Sequence, residues 1–122
     1  MNIEFRVDGT VIALGALDDN ATARDFAALL PLSLRLVDYD ATEKIADLPR
    51  ALAAAGGLHA LMTPVTGDMC FYAPWGNLAI FYRDGVESKG LVLLGHLLSG
   101  VHTLQRPGPL DVTITLAPPP QA

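Results

Sequence analysis

Cysteine is nearly absent from this chain of 122 residues, with Cys70 the one example. A lone thiol forms no internal disulfide and no zinc cluster, so the fold is expected to stand without oxidation in a reducing, cytoplasmic setting. Charge is sparse as well. Charged residues make up 17% of the chain against a usual figure of about 25%, and the eight Lys and Arg are scattered singly among thirteen Asp and Glu, for a net charge of −5. Without a basic stripe to track phosphates, nucleic acid is not an expected partner. Long hydrophobic runs are missing too. The most apolar segment, GLVLLGHLLSGV, is broken by glycine and His96 and falls short of the roughly 20 residues that a membrane helix needs. The N-terminal MNIEFRVDG places Glu4, Arg6 and Asp8 where a secretion signal requires an apolar centre. The expectation is a chain with neither membrane span nor leader.

Several chemistries are excluded by spacing. His59, His96 and His102 form no i,i+4 pair, so no dedicated metal site is expected. The segment DYDATE brings Asp38, Asp40 and Glu43 together but lacks the glycine and ligand spacing of a calcium loop, and reads as a bend. GHLLSG has the glycines of a phosphate loop without its Lys and Ser or Thr, and no G-x-S-x-G elbow is present. No cofactor is implied.

What remains is an apolar chain, 51% hydrophobic, of a length that suits one core. IEFRV and TVIAL flank Asp8-Gly9, a tight-hairpin signal. NATARDFAALLP spaces Ala23, Phe26, Ala27 and Leu30 as one helix face, with Asn20 or Thr22 as cap and Pro31 as stop. In LSLRLVD, Leu32, Leu34 and Leu36 alternate with polar neighbours as a strand. The stretch 41–67 reads mostly as loop, with a short extended piece from 45 to 48 and a turn of helix near 50–55. DMCFYAP, NLAIFYR, LVLLGHLL and DVTITL are further strands separated by turn residues. About eight short strands with one or two helices predict a mainly β, small closed barrel over residues 1–117, with 118–122 as a flexible Pro-rich tail. Phe5, Phe26, Leu34 and Val112 or Ile114 should share its core.

The aromatic residues are unevenly placed. Between 67 and 84, GDMCFYAPWGNLAIFYRD holds the single Trp and four of the seven Phe and Tyr. If 69–73 and 77–83 are neighbouring strands, Cys70 and Tyr72 lie on one face and Met69 and Phe71 on the other, while Ala79 and Phe81 oppose Ile80 and Tyr82. Barrel packing is the competing structural reading for Phe71 and Phe81. Trp75 lies between Pro74 and Gly76 in a turn, where an indole either caps a barrel end or meets a ligand at the barrel mouth.

The run YAPWGNLAIFYRD, with TARDFAALLPLSLRLVDYDATEKIADLPR before it and GLVLLGHL after it, resembles the bacterial cyclophilin-like domain family across nearly the whole chain. The resemblance implies a small closed barrel related to cyclophilin with trimmed loops. Cyclophilins are peptidyl-prolyl isomerases whose groove pairs an aromatic wall with an arginine near the twisting amide, lowering a barrier of about 18–20 kcal/mol without nucleophile or metal. By this resemblance Phe81 falls near the groove aromatic and Tyr72 on the adjoining strand. Glu43 matches a recurrent family residue, and His96 replaces the arginine of an LGRI-type segment with a group that titrates near neutrality. The Phe-His-Arg catalytic segment has no counterpart in RALAAAGGLHALMTPVTG.

These readings favour a non-catalytic module that binds a peptide, a protein or a small apolar ligand. Tyr72, Trp75, Phe81 and Tyr82 would supply contact area, and Glu43, Asn77 and His96 polar partners. A weak prolyl isomerase acting through the same groove is the alternative. The competing structural readings are a solvated loop for Glu43, a side chain that fixes the turn for Asn77 and a hydrogen-bonded core histidine for His96.

Overall fold

The computed structural model describes residues 1–53 and 59–118. Its first hairpin pairs β1 (Asn2–Val7) with β2 (Thr10–Leu17). Both turn residues, Asp8 at φ 50° and Gly9 at φ 79°, take the left-handed conformation that a two-residue hairpin of matching twist requires. The chain then enters α1 (Ala21–Ala27), where the Asn20 side chain accepts a hydrogen bond from the Ala23 amide at 2.8 Å and so caps one of the free N–H groups. The strands β3 (Leu32–Tyr39) and β4 (Glu43–Asp47) form a second hairpin. They are followed by β5 (Leu61–Met62), β6 (Asp68–Tyr72), β7 (Asn77–Phe81), β8 (Ser88–Lys89), β9 (Leu91–Ser99), α2 (Val101–Leu104) and β10 (Leu110–Leu116).

Eight strands close into an antiparallel barrel in the order β1-β10-β3-β4-β7-β6-β9-β2, while β5 and β8 pair as a separate two-stranded ribbon. The expected closed barrel with two short helices is thus the observed architecture. Its interior collects alternate residues of every stave. Ile3, Phe5, Leu36, Phe71, Leu78, Ile80, Leu94, Val112 and Ile114 are all buried in one cluster, with Leu34 packed against it. The helices add Ala23, Phe26 and Leu104 to the same core. No helix among the described residues is long and apolar enough to cross a membrane.

One fully buried inward position is charged. Lys44 alternates with Glu43 and Ile45 and therefore points into the barrel, where its side chain is fully buried. Its Nζ donates to Asp38 Oδ1 and to the carbonyls of Arg106 and Gly108, each at 2.7 Å, so the three ammonium hydrogens all have acceptors. Asp38 also accepts from the Tyr82 hydroxyl at 2.9 Å and from the Gly108 amide at 2.8 Å. This network fastens the α2–β10 connection to β3 and β4.

The structure departs from the sequence reading in the stretch 41–67. The short extended piece expected at 45–48 is a full barrel stave, Glu43–Asp47, whose length is hidden in the sequence by a lysine in an inward position. The ribbon of β5 and β8 was not foreseen, since two-residue strands carry no periodicity. No helix forms over 50–53; the remainder of that expected turn, and the tail 119–122, lie outside the described residues.

Candidate functional site

Four adjoining staves, β4, β7, β6 and β9, are covered on both faces. Inside, they contribute to the barrel core; outside, Cys70, Ala79, Phe81 and Leu91 form a second buried cluster, flanked by Ile45, Met62, Tyr72 and Leu93. All five residues of β7 are buried in consequence. The register arranges the outer residues in rows across the sheet. Asp47 pairs with Asn77, Asn77 with Tyr72 and Tyr72 with Leu91; Ile45, Ala79, Cys70 and Leu93 form the next row; Glu43 pairs with Phe81 beyond it.

A cavity of about 290 Å³ opens over this outer wall. The buried Asn77, Phe81 and Leu91 make its floor. The β3–β4 turn supplies Tyr39, Asp40, Thr42 and Glu43 on one side, Tyr72 and Trp75 come from β6 and the turn after it, and Asp84, Gly85, Val86 and Ser88 close the other side. This cavity lies not at a barrel mouth but on the outside of the barrel wall, where the outer side chains of four staves meet two turns and a loop.

The turn that carries Trp75 is tight. Amides of Trp75 and Gly76 both donate to the Tyr72 carbonyl, at 3.2 and 2.9 Å, and Gly76 has φ 67°, which a residue with a Cβ adopts only under strain. The indole is 54% exposed and so does not plug the barrel. It stands edge-on to two tyrosines, Tyr39 and Tyr72, each with ring centroids 5.3 Å away and planes inclined at 83° and 79°. The far side is held by Asp84, whose Oδ1 accepts from the Thr66 amide and hydroxyl at 2.8 and 2.9 Å. Gly85 presses on the floor: a Cβ at this position would come within 2.9 Å of the Phe81 ring.

Electrostatically the cavity is one-sided. Asp40, Glu43 and Asp84 line it, and no Lys, Arg or His does so among the described residues. Burial, and then the neighbouring Asp40 carboxylate, push the Glu43 carboxyl up to about 7. Hydrogen bonds from the Thr66 amide and hydroxyl hold Asp84 below the usual carboxylate range. Asn77, only 2% exposed, has an amide oxygen with no hydrogen-bond partner. A buried polar atom left unpaired costs about 1–3 kcal/mol, so its persistence on a cavity floor calls for an explanation.

Of the seven residues singled out from sequence, the structure brings Glu43, Tyr72, Trp75, Asn77 and Phe81 together around this cavity. Tyr82 and His96 stand apart from it. Tyr82 follows Phe81 and so faces the opposite way, into the Lys44–Asp38 network, where burial and then the Asp38 hydrogen bond raise its hydroxyl to about 12. His96 is exposed on β9, beyond a register shift that separates it from Leu91 and Leu93, and pairs with Asp68 and Ala16. It is neither a cavity residue nor a core histidine. Asn77 does not fix the turn through its unpaired amide oxygen. Sequence reasoning missed Tyr39, Asp40 and Asp84 as cavity residues. The available signal was the β3–β4 hairpin, whose turn sets Tyr39 directly opposite Glu43.

The fold carries a family signature. Residues 5–115 match the family described as the cyclophilin-like family. The chain belongs to that family. Among solved structures, it is similar to the solution structure of a hypothetical protein from Archaeoglobus fulgidus, with a TM-score of 0.63 and 13% sequence identity over 96% of this chain and 95% of the other. At that identity the likeness concerns the fold alone. No curated protein matches this cyclophilin-like chain in sequence.

Proposed function

We propose that this cyclophilin-like protein is a non-catalytic binding module that holds a peptide, a protein segment or a small apolar ligand in the cavity on its outer wall. The observation that carries this reading is Asn77: a buried amide oxygen without a partner, on the floor of a cavity whose rim is a half-exposed tryptophan between two tyrosines. Ligand sites combine an apolar, aromatic lining with a few oriented polar groups, and this cavity has both. At about 290 Å³ it is at the small end for such sites, which suits a short side chain or a small molecule.

Prolyl isomerisation, the family-level alternative, needs a donor aimed at the nitrogen of a twisting amide. The cavity is lined by carboxylates, with no cationic side chain among the described residues, which speaks against it. In a protease-free exchange assay, X-Pro peptides should interconvert at the uncatalysed rate. Ligand screening by amide NMR shifts tests the binding reading. Proline peptides and small apolar compounds should perturb Tyr72, Trp75, Asn77 and Phe81 saturably. Shifts confined to other faces would overturn the assignment of this cavity, and robust turnover abolished by Phe81→Ala would replace binding with catalysis.

A further inference from the structure

Resting on the binding reading above, we propose that the cavity selects an alkylammonium ion, with its charge facing Asp40 and Glu43, the Asn77 amide oxygen as a further acceptor on the cavity floor, and its carbon body against Trp75 and Tyr72. Three independent features converge on that chemistry. The lining carries three carboxylates and no countercharge of its own among the described residues. The aromatic rim sets two tyrosine rings nearly perpendicular to an indole, a corner of π-surfaces of the kind that attracts organic cations. The floor holds an acceptor, Asn77 Oδ1, that lacks a donor. An ammonium with N–H groups supplies what these acceptors lack, whereas a carboxylate or phosphate ligand would meet a lining of carboxyl groups with no cation to offset them.

A metal ion does not fit the same residues. Among the described residues, no three His, Cys, Asp or Glu converge closely enough to chelate one. The carboxylates are instead spread over the β3–β4 turn, β4 and the loop after β7, a span suited to a cation with a body. Glu43 is consistent with a site short of positive charge: burial and Asp40 keep its carboxyl partly protonated near neutrality, so an incoming ammonium replaces a proton there.

The test varies ligand charge at nearly constant shape. The protein is titrated at pH 8 with cyclohexylammonium, cyclohexanol and cyclohexanecarboxylate, following the emission of Trp75, the one tryptophan. The ammonium should bind saturably and at least about tenfold more tightly than the alcohol, and the carboxylate should give no response. The double substitution Asp40→Asn with Glu43→Gln should reduce the ammonium to the alcohol's affinity while circular dichroism stays unchanged. Nα-acetyl-lysine amide separates the two sources of this chemistry: tighter binding than cyclohexylammonium assigns the site to a lysine side chain, weaker binding to a free amine. Equal affinities for ammonium and alcohol, or preference for the carboxylate, would overturn the cation assignment and leave the binding reading intact. Silence from all three ligands alongside saturable NMR shifts from neutral compounds has the same meaning. Silence in both experiments overturns both.

Discussion

Lys44 Nζ lies 2.7 Å from Asp38 Oδ1, and the lysine side chain is wholly removed from solvent while the aspartate is 28% exposed. The pair therefore has one partner that cannot rehydrate without opening the barrel. Asp38→Ala strands a buried ammonium and should cost about 3–5 kcal/mol, measured by urea denaturation. Lys44→Met, which leaves only the partly solvated aspartate, should cost clearly less. The Lys44 hydrogen bond is the main cause holding the Asp38 carboxyl below its ordinary range. A depressed folded value means that the stabilisation is present above the unfolded pKa near 3.9 and is lost as pH falls through the lower folded value. Acid unfolding should accordingly be displaced to higher pH in Lys44→Met.

Glu43 gives a slope of the opposite sign. Its folded value of about 7 lies above the ordinary 4.5, so the folded state binds the proton more tightly than the unfolded chain does. Stability should therefore decline as pH rises from about 4.5 to about 7, the window in which the unfolded chain has lost the proton and the folded protein is losing it. Asp84, held below the ordinary carboxylate range by its Thr66 hydrogen bonds, is already ionised across this window, and the neighbouring Cys70 and Tyr82 stay neutral. Glu43→Gln should be near neutral at pH 5 and stabilising by about 1–2 kcal/mol at pH 8, after allowance for solvent screening. Urea midpoints measured every half unit check this.

Trp75 and Phe71 are four residues apart and should behave differently. Phe71 is 1% exposed inside the barrel, and Phe71→Ala should cost about 3–5 kcal/mol. Trp75 is 54% exposed, and Trp75→Ala should change stability by less than about 1 kcal/mol. Thermal or urea unfolding of the two variants distinguishes a residue that holds the fold from one that is free to serve a ligand.

Gly95 admits no side chain. A Cβ there would lie 1.9 Å from the Ala16 carbonyl oxygen, at the point where β9 shifts register against β6. Gly95→Ala must push apart the β2–β9 ladder and should cost more than about 3 kcal/mol. An unchanged melting temperature would contradict this packing.

Cys70 should be chemically silent in the folded protein. It is 0% exposed beneath the outer cluster, and burial followed by the charges of Asp68 and Glu43 raises its thiol well above the ordinary range. Iodoacetamide should label it only as fast as the barrel opens, and rapidly in urea; mass spectrometry of the two time courses checks this.

Period-two alternation makes most of the barrel legible in the sequence alone. It separated Cys70 and Tyr72 from Met69 and Phe71, and Ala79 and Phe81 from Ile80, and the structure assigns the first set to the outer layer and the second to the core. It could not say that both faces of β7 are covered, because that depends on which stave lies beside it. The same limit hid the contributions of Tyr39, Asp40 and Asp84, which reach the cavity only through the β3–β4 and β4–β7 pairings. Tyr82 was misplaced for a simpler reason: its aromatic character suggested contact area, whereas its position next to Phe81 already required the other face. Lys44 gave the wrong signal for its environment, since a charged residue reads as solvent-facing unless its acceptors, distant in sequence, are known.

Closure of the sheet bears on how a partner can be read. Every barrel stave already has two hydrogen-bonded neighbours, and the only strand edges left among the described residues belong to the two-residue β5–β8 ribbon. Among the described residues the barrel itself therefore offers no edge for strand addition, in which backbone amides supply affinity with little regard to sequence. Whatever lodges on the outer wall must be recognised through its side chains or functional groups. If the proposed binding holds, a few substitutions among Asp40, Glu43, Trp75 and Asn77 should be enough to change which ligand the wall accepts while the cylinder beneath folds as before.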